Sequence, residues 1–570
     1  MCLRCSEYGV PIEKNLANLM PARQKRGGKT RCTMERLAAA GRILDEQPVD
    51  HVRTPADTRA RLALLLLAVE RSVLNRIFAA IIAFCAILPG AFAADVELPD
   101  IGASADRLVS PDEERRYGES MLREFRRQNL VLEDPLVADY LRSLGYRLVA
   151  HSERQADDFT FFVVRSNDIN AFAAPGGYIG VNVGLIHEFE SESELAAVLG
   201  HEIAHISQRH LVRAWESMQK ASLPIALAMI GAIIAAQGAS GDGTEAALIG
   251  GMGLLQQQSI NFTRNNEYEA DRIGIHTLHR SGFDADAMAS TFARIGRAMR
   301  ANGEETPEFL RTHPVTLSRV TEAKNRAEAI RKDTGHKASE ERPNDPRFWL
   351  MRERAHVLTA IAPVELIAGY RNQLDTATGP RQPSIQYGLA LAYLYGAQAD
   401  KAIALLQQLA KTDSNDALFQ LPLAEAESAT GAVAAALTRL DRLAQNFPGN
   451  RAILIGYANE LTRTATRANG RKATELLREL IVRYPDDPAV QQAYARAAEV
   501  AGQELRALEA HAEVALLNGR PVDAMEQLRR LLDRPRLDYY QRARVEARIQ
   551  AITPWVLEVE RLRLRAPRPA

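Results

Sequence analysis

Apolar residues recur every three or four positions along most of the chain, the spacing that gathers them on one face of an α-helix. The pattern predicts an early helical pair, Asp112 to Arg127 and Pro135 to Ala150. Aromatic and β-branched residues from Phe159 to Val164 then predict a strand. The segment from Asn170 to Val181 predicts a strand, a Pro-Gly-Gly turn and a second strand. The first half of the chain should therefore combine helices with a small sheet.

One helix carries candidate chemistry in the sequence HEIAH at residues 201–205. His201 and His205 are four positions apart and project from one face of that helix, one turn apart. This is the geometry that two imidazoles need to bind one zinc ion, and Glu202 can take a proton from metal-bound water. The alternative is a surface helix with two solvated histidines.

A third ligand candidate lies in the segment Asn265 to Gly274. Glu267 and Asp271 are one helical turn apart, so Glu267 can face the metal while Asp271 sits behind it. A carboxylate in that position accepts the free N–H of a ligating histidine and fixes its orientation. Glu269 lies on another face and is expected to be solvated or to support the site from behind. The alternative is an exposed acidic helix start.

HEIAH followed by EYEAD at residues 267–271 resembles the M48 metallopeptidase family, whose pattern is HExxH with a distal ExxxD. The resemblance implies one Zn²⁺ per chain bound by His201, His205 and Glu267. It also implies that Glu202 is the general base and that Asp271 supports the ligands from behind. The fold class that we expect is α+β. It consists of a mostly helical, gluzincin-like metallopeptidase domain with a small sheet, followed by an α-helical tetratricopeptide-like repeat domain.

The residues Asn170, Ala171 and Phe172 begin a segment that resembles the NAF…PGG element of M48 members. In zinc peptidases of this type, such an edge strand pairs with the backbone of the substrate, so the cleft would bind extended peptides. An ordinary hairpin is the alternative, and the two interpretations are compatible.

His313 and Arg319 form an HPxxxxR element that resembles one in periplasmic M48 relatives, where the histidine can approach the zinc. As a fourth ligand, His313 would leave no position for the catalytic water and would hold the enzyme closed. As a catalytic group, it would donate to the transition state. A structural loop residue is the third alternative. Arg319 either stabilises an oxyanion or pairs with a carboxylate.

Composition and charge narrow the class of protein. Lysine plus arginine and aspartate plus glutamate number 71 each, so the zero net charge gives no argument for nucleic acid as a partner. The four cysteines all lie within the first 85 residues, so the remainder can function in an oxidising compartment without forming disulfides. A chain of 570 residues predicts more than one domain.

An apolar run at residues 77–88 follows Arg71 and Arg76 and precedes an Ala-x-Ala site that ends at Ala93. This order predicts a signal peptide over residues 73–93 and export to the periplasm. We interpret residues 1–72 as an over-extended, unstructured N-terminus.

A second apolar stretch, Leu223 to Ala236, is short for a membrane span. It predicts either a helix that is buried or covers the cleft, or a lid that contacts a membrane surface or a partner. The glycine-rich residues 238–243 would let such a lid move.

Residues 331–346 are polar and predict a linker between a metallopeptidase domain at 94–330 and a repeat domain at 347–570. In the second domain, small-residue pairs beginning at Gly396 and Gly431 recur with a spacing of 35. This weak period resembles tetratricopeptide repeats, whose stacked helix pairs form a curved surface for a partner. A plain helical bundle is the alternative.

A signal peptide, an M48 domain and a repeat array together resemble periplasmic M48 peptidases of outer-membrane protein quality control. The resemblance implies unfolded or stalled outer-membrane proteins as substrates, a chaperone-like role, and docking on the β-barrel assembly machinery through the repeats. Those relatives carry cysteine pairs in the repeats, whereas this chain has no cysteine after Cys85. The alternatives are a repeat-based scaffold with a weak or vestigial protease centre, and a general periplasmic protease with other substrates.

Overall fold

The structure is a computed structural model. The part of the chain that it describes comprises residues 109–153, 159–214, 216, 263–301, 309, 313–334, 345–379, 381–535 and 537–565. The predicted signal peptide, the N-terminus before it, the apolar stretch 223–236 and most of the predicted linker lie outside the described residues. Within the described ranges, no helix has the length and apolar content that a membrane crossing requires.

Two helices open the described chain, α1 (Pro111–Arg127) and α2 (Pro135–Val149). Each follows a residue whose side chain accepts a backbone N–H of the first turn, Ser110 before α1 and Asp134 before α2. A proline opens each helix, where its missing N–H costs no hydrogen bond. The predicted helical pair is confirmed.

Three short strands form one mixed sheet: β1 (Thr160–Val164), β2 (Ala171–Ala174) and β3 (Tyr178–Asn182). The strand order is β1-β3-β2, with β1 parallel and β2 antiparallel to β3. Gly176 and Gly177 make the predicted turn with φ values of +79° and +88°, which glycine adopts without steric cost. Because β2 ends the order, one of its edges has no strand partner among the described residues.

The helix that carries HEIAH is the centre of the first half of the molecule. After α3 (Val183–Glu188), α4 (Glu192–Ser207) is buried at every residue from Glu192 to Ala204. A helix over residues 263–280, here α5, lies directly against α4. A Cβ on Gly200 of α4 would lie 3.3 Å from the carbonyl oxygen of Gly274 in α5. Glycine at both positions therefore lets the two backbones touch.

The rest of the chain is helical. It begins with α6 (Ala287–Ala301), α7 (Leu317–Thr334) and α8 (Pro346–Thr359), and each later helix packs against the next along the chain. The later helices are α9 (Pro363–Leu374), α10 (Arg381–Tyr395), α11 (Ala399–Leu409), α12 (Ala417–Ala429), α13 (Val433–Asn446), α14 (Arg451–Arg463), α15 (Arg467–Arg483), α16 (Pro488–Ala501), α17 (Glu504–Leu517), α18 (Pro521–Leu532) and α19 (Tyr539–Arg565). The predicted fold class is confirmed.

The predicted linker at 331–346 differs from the structure at both ends. Helix α7 continues to Thr334 and α8 begins at Pro346, so only the residues between them join the two helices. Lys332 and Asp333 are exposed residues in the last turn of α7, and the sequence pattern does not distinguish such a polar helix end from a loop.

The two halves of the chain share a hydrophobic core. Helix α8 packs on α2 and α3, and one cluster of buried apolar side chains runs from Leu132 to Ala426. At this junction Arg354 of α8 donates two hydrogen bonds to Asp134, of 2.8 and 2.7 Å, and both side chains are largely buried. The first repeat helices are therefore fixed to the metallopeptidase half.

Candidate metal centre

Four side chains from three parts of the fold converge on one point. They are His201 and His205 of α4, Glu267 of α5 and His313 before α7, and one possible ligand atom of each lies within 4.8 Å of the others. The two Nε2 atoms of His201 and His205 are 3.0 Å apart, and Nδ1 of His313 lies 3.3 Å from Nε2 of His201. Donors around a tetrahedral zinc ion are about 3.3–3.4 Å apart, given bonds of about 2.0–2.1 Å. The spacing fits one such ion.

The local structure explains this convergence. The helical repeat of α4 aligns the two histidines, and the close contact at Gly274 brings α5, with Glu267, against them. His313 is held by Phe309: its backbone N–H donates to the Phe309 carbonyl at 2.7 Å, and the two rings stack with centroids 4.9 Å apart.

Glu202 is fully buried, and neither of its carboxylate oxygens has a hydrogen-bond partner in the described part of the chain. A buried carboxylate without a partner is costly, so the position of Glu202 fits a site that takes up a ligand. A divalent cation with a bound water would supply a partner for this carboxylate. Nε2 of His313 lies 3.8 Å from Oε1 of Glu202, which places the carboxylate at the edge of the donor cluster.

Asp271 and Arg319 lie behind the donor cluster. Oδ1 of Asp271 is 3.0 Å from Nδ1 of His201, on the ring side that faces away from the other donors. Arg319 donates to both oxygens of Asp271 at 2.7 Å and lies 2.8 Å from Oε2 of Glu267. Of the two alternatives for Arg319, these contacts correspond to pairing with carboxylates.

The charges of the cluster suit a divalent cation. Burial opposes protonation of His201, yet the carboxylates of Asp271 and Glu267 outweigh it and raise the pKa of its imidazole to about 10, so a divalent cation would take the place of the proton on its Nε2. Burial lowers the pKa of His205 to about 3, so its ring is neutral, the state that binds a metal. Burial alone would raise the pKa of Glu267, but its hydrogen bonds with the three histidines hold it well below the usual range.

A cavity of about 740 Å³ opens beside the cluster and runs along β2. Asn170 and Phe172 line it, whereas Ala171 is buried and pairs in register with Val181 of β3. Oδ1 of Asn170 is buried and has no hydrogen-bond partner among the described residues. The large apolar side chains that line it are those of Phe125, Leu130, Val164, Phe172, Ile206, Leu211 and Val212.

The sequence pattern did not predict that His210 lies beside the metal ligands. Its Nδ1 lies 2.9 Å from Nδ1 of His205, and its Nε2 lies 3.2 Å from Oε2 of Glu269. Helix α4 ends at Ser207 and Arg209 has a φ of +51°, so helical spacing does not predict where His210 points. The one indication in the sequence was that a third histidine follows HEIAH by five residues.

Comparison with known proteins agrees with this geometry. Residues 135–327 match the sequence profile of Peptidase family M48, and residues 385–416 match that of a Tetratricopeptide repeat. These two matches fall on the metallopeptidase half and on α10 and α11 of the repeat half.

Several curated relatives are similar over long stretches. The Beta-barrel assembly-enhancing protease of Yersinia pestis is 32% identical over 455 residues, 80% of this chain and 91% of the relative. Its counterpart in Escherichia coli (strain K12) is 30% identical with the same coverage. A Putative beta-barrel assembly-enhancing protease of Vibrio cholerae is 38% identical over 57% of this chain, and the match covers just 65% of that protein. The resemblance seen in the motifs is thus confirmed, and the chain belongs to peptidase family M48 as a metalloendopeptidase with tetratricopeptide repeats.

Proposed function

We propose that this protein is a periplasmic zinc metalloendopeptidase that takes part in the assembly and quality control of outer-membrane β-barrel proteins. The observation that carries the catalytic part is the convergence of His201, His205 and Glu267 beside the buried, unpartnered Glu202. The relatives named for enhancing β-barrel assembly support the biological part.

In this proposal His201, His205 and Glu267 hold the ion. Two imidazoles and one carboxylate are the donor set of a catalytic zinc site. Bound zinc supplies a Lewis acid that polarises the peptide carbonyl and lowers the pKa of water. Glu202 accepts the proton that the attacking water loses and passes it to the leaving amine. Its complete burial keeps bulk water away from this proton.

Asp271 and Arg319 hold the ligands in place. Oδ1 of Asp271 lies 3.0 Å from Nδ1 of His201, so the carboxylate restrains the ring on the side opposite Nε2, which is left free to bind the metal. Arg319 neutralises the buried pair of carboxylates, because it contacts both Asp271 and Glu267.

His313 is a fourth donor that closes the site. Its Nδ1 lies 3.0 and 3.1 Å from the two carboxylate oxygens of Glu267, among the other ligand atoms. A ring in this position competes with the substrate carbonyl and the reacting water. In the catalytic alternative, the His313 ring must first leave the cluster. It would then donate a hydrogen bond to the transition state from outside the cluster.

The substrate binds as an added strand on the free edge of β2, with Asn170, Ala171 and Phe172 facing the peptide backbone. The apolar cavity beside the edge suits a large apolar side chain next to the scissile bond. Unfolded β-barrel proteins supply extended segments in which every second residue is apolar, which matches such a cleft. The repeats then bind the β-barrel assembly machinery as partner.

The decisive experiment compares cleavage of casein by the wild type and by Glu202→Gln. We expect the wild type to cleave and the variant to lose activity while it keeps one zinc per chain, since Glu202 is not a ligand. Equal cleavage by both proteins would refute the assignment of Glu202, and no cleavage by the wild type, by Glu202→Gln or by His313→Ala, in which the site is opened, would favour a scaffold.

A further inference from the structure

We propose that His210 and Glu269 are positioning residues that hold the metal ligand His205 in its binding orientation, an inference that rests on the proposed function. Nδ1 of His205 lies 2.9 Å from Nδ1 of His210, and Nε2 of His210 lies 3.2 Å from Oε2 of Glu269. Arg213 also donates to Oε2 of Glu269, at 3.1 Å. A chain of polar contacts thus leads from the ligand to a charge pair outside the cluster.

The positions of the hydrogens in this chain follow from the role of His205. If Nε2 of His205 binds the metal, its Nδ1 must carry the hydrogen of the neutral ring. The short contact between the two Nδ1 atoms then requires an unprotonated Nδ1 on His210. His210 therefore carries its hydrogen on Nε2, the atom that faces Glu269, and every contact of the chain joins a donor to an acceptor.

The surroundings of His205 explain why it needs this support. Its side chain is 14% exposed, against 2% for His201, so packing alone restrains it less. His210 is buried and comes from a separate helical turn, residues 210–214. A single segment of α5 then serves the whole centre: Glu267 is the ligand, Asp271 supports His201, and Glu269 supports His205 through His210.

Two substitutions of His210 separate positioning from packing. The Oδ1 of asparagine can take the place of the ring Nδ1, so His210→Asn keeps the contact with His205 and loses that with Glu269. The amide of glutamine reaches the place of Nε2, so His210→Gln keeps the contact with Glu269 and loses that with His205. Both replacement side chains are polar, and neither has a larger volume than the histidine side chain.

The measurement is the zinc dissociation constant of the full chain, determined by competition with a chromophoric chelator. Loss of a contact behind a ligating histidine weakens metal binding about 10–100-fold. We expect a loss of this size for His210→Gln, a dissociation constant close to that of the wild type for His210→Asn, and a smaller loss for Glu269→Gln. The exposed His151→Gln serves as the control and should bind like the wild type.

The visible spectrum of the cobalt-substituted proteins provides a second readout, because it reports the geometry of the ligands. It should change in His210→Gln and stay unchanged in His210→Asn. Wild-type affinity in His210→Gln would overturn the inference, as would equal losses in both His210 variants, which would indicate packing only. A wild-type chain that binds no stoichiometric metal would instead refute the proposed function itself.

Discussion

Replacement of Arg319 by methionine should destabilise the metal-free protein strongly. The guanidinium is 1% exposed, donates two hydrogen bonds of 2.7 Å to Asp271 and lies 2.8 Å from Glu267. Methionine fills a similar volume but leaves two buried carboxylates without their cation. Removal of one partner from a buried ion pair costs about 3–5 kcal/mol.

The assay is urea denaturation of the metal-free full chain, followed by tryptophan fluorescence and compared through the midpoint at a common slope. The control is Arg326→Met, because Arg326 pairs with Glu322 at 2.6 Å while both side chains stay about one-third exposed. Such surface pairs contribute about 0–1 kcal/mol. The double variant Arg319→Met with Asp271→Asn should recover part of the loss, since it removes one of the unpaired charges.

Zinc should reduce the effect of Arg319→Met, because the ion neutralises Glu267 directly. At the same free zinc concentration the variant should therefore gain more stability than the wild type, which by linkage means that it binds zinc more tightly. A loss for Arg319→Met no larger than that for Arg326→Met would refute the view that Arg319 balances the buried carboxylates.

Three further predictions concern His313, the junction between Arg354 and Asp134, and the metal. His313→Ala should raise basal cleavage of casein or of the protein itself, and a fall to the level of Glu202→Gln would instead identify His313 as catalytic. Burial favours protonation of Asp134, but Arg354 outweighs it and lowers the pKa of this carboxyl, so its contribution to stability is present at neutral pH and is lost as the pH falls below about 4. Acid titration of the unfolding midpoint should therefore show a steeper fall in the wild type than in Asp134→Asn, and parallel curves would contradict this. Chelation with 1,10-phenanthroline should abolish cleavage and zinc should restore it, whereas activity that survives complete metal removal would argue against a metallopeptidase.

The sequence predicted the elements whose signal is local. Helical periodicity gave α1, α2 and α4, and the β-branched run gave β1, because each pattern depends only on neighbouring residues. The fixed spacing of HExxH and ExxxD placed His201 and Glu267 on faces that the structure brings together. The approach of these two helices depends on a glycine contact that no periodicity reveals.

The features that the sequence did not predict depend on distant contacts. The two alternatives for Arg319 could not be separated, because its partner Asp271 lies 48 positions away. The junction at Arg354 and Asp134 joins residues 220 positions apart, so the sequence did not predict that buried apolar side chains of the two halves pack together. The position of His210 was not predicted, because the helix that carries HEIAH ends at Ser207 and helical spacing no longer applies after it.

The most direct test of the central claim is the zinc content of the purified full chain, measured by mass spectrometry of the metal for the wild type and for Glu267→Ala. Glu202→Gln, whose changed side chain lies beside the donors without being one of them, serves as the matched control. We expect one zinc per chain in the wild type and in Glu202→Gln, and loss of both zinc and proteolysis in Glu267→Ala. Full zinc content in Glu267→Ala, or a wild type without stoichiometric zinc, would contradict it.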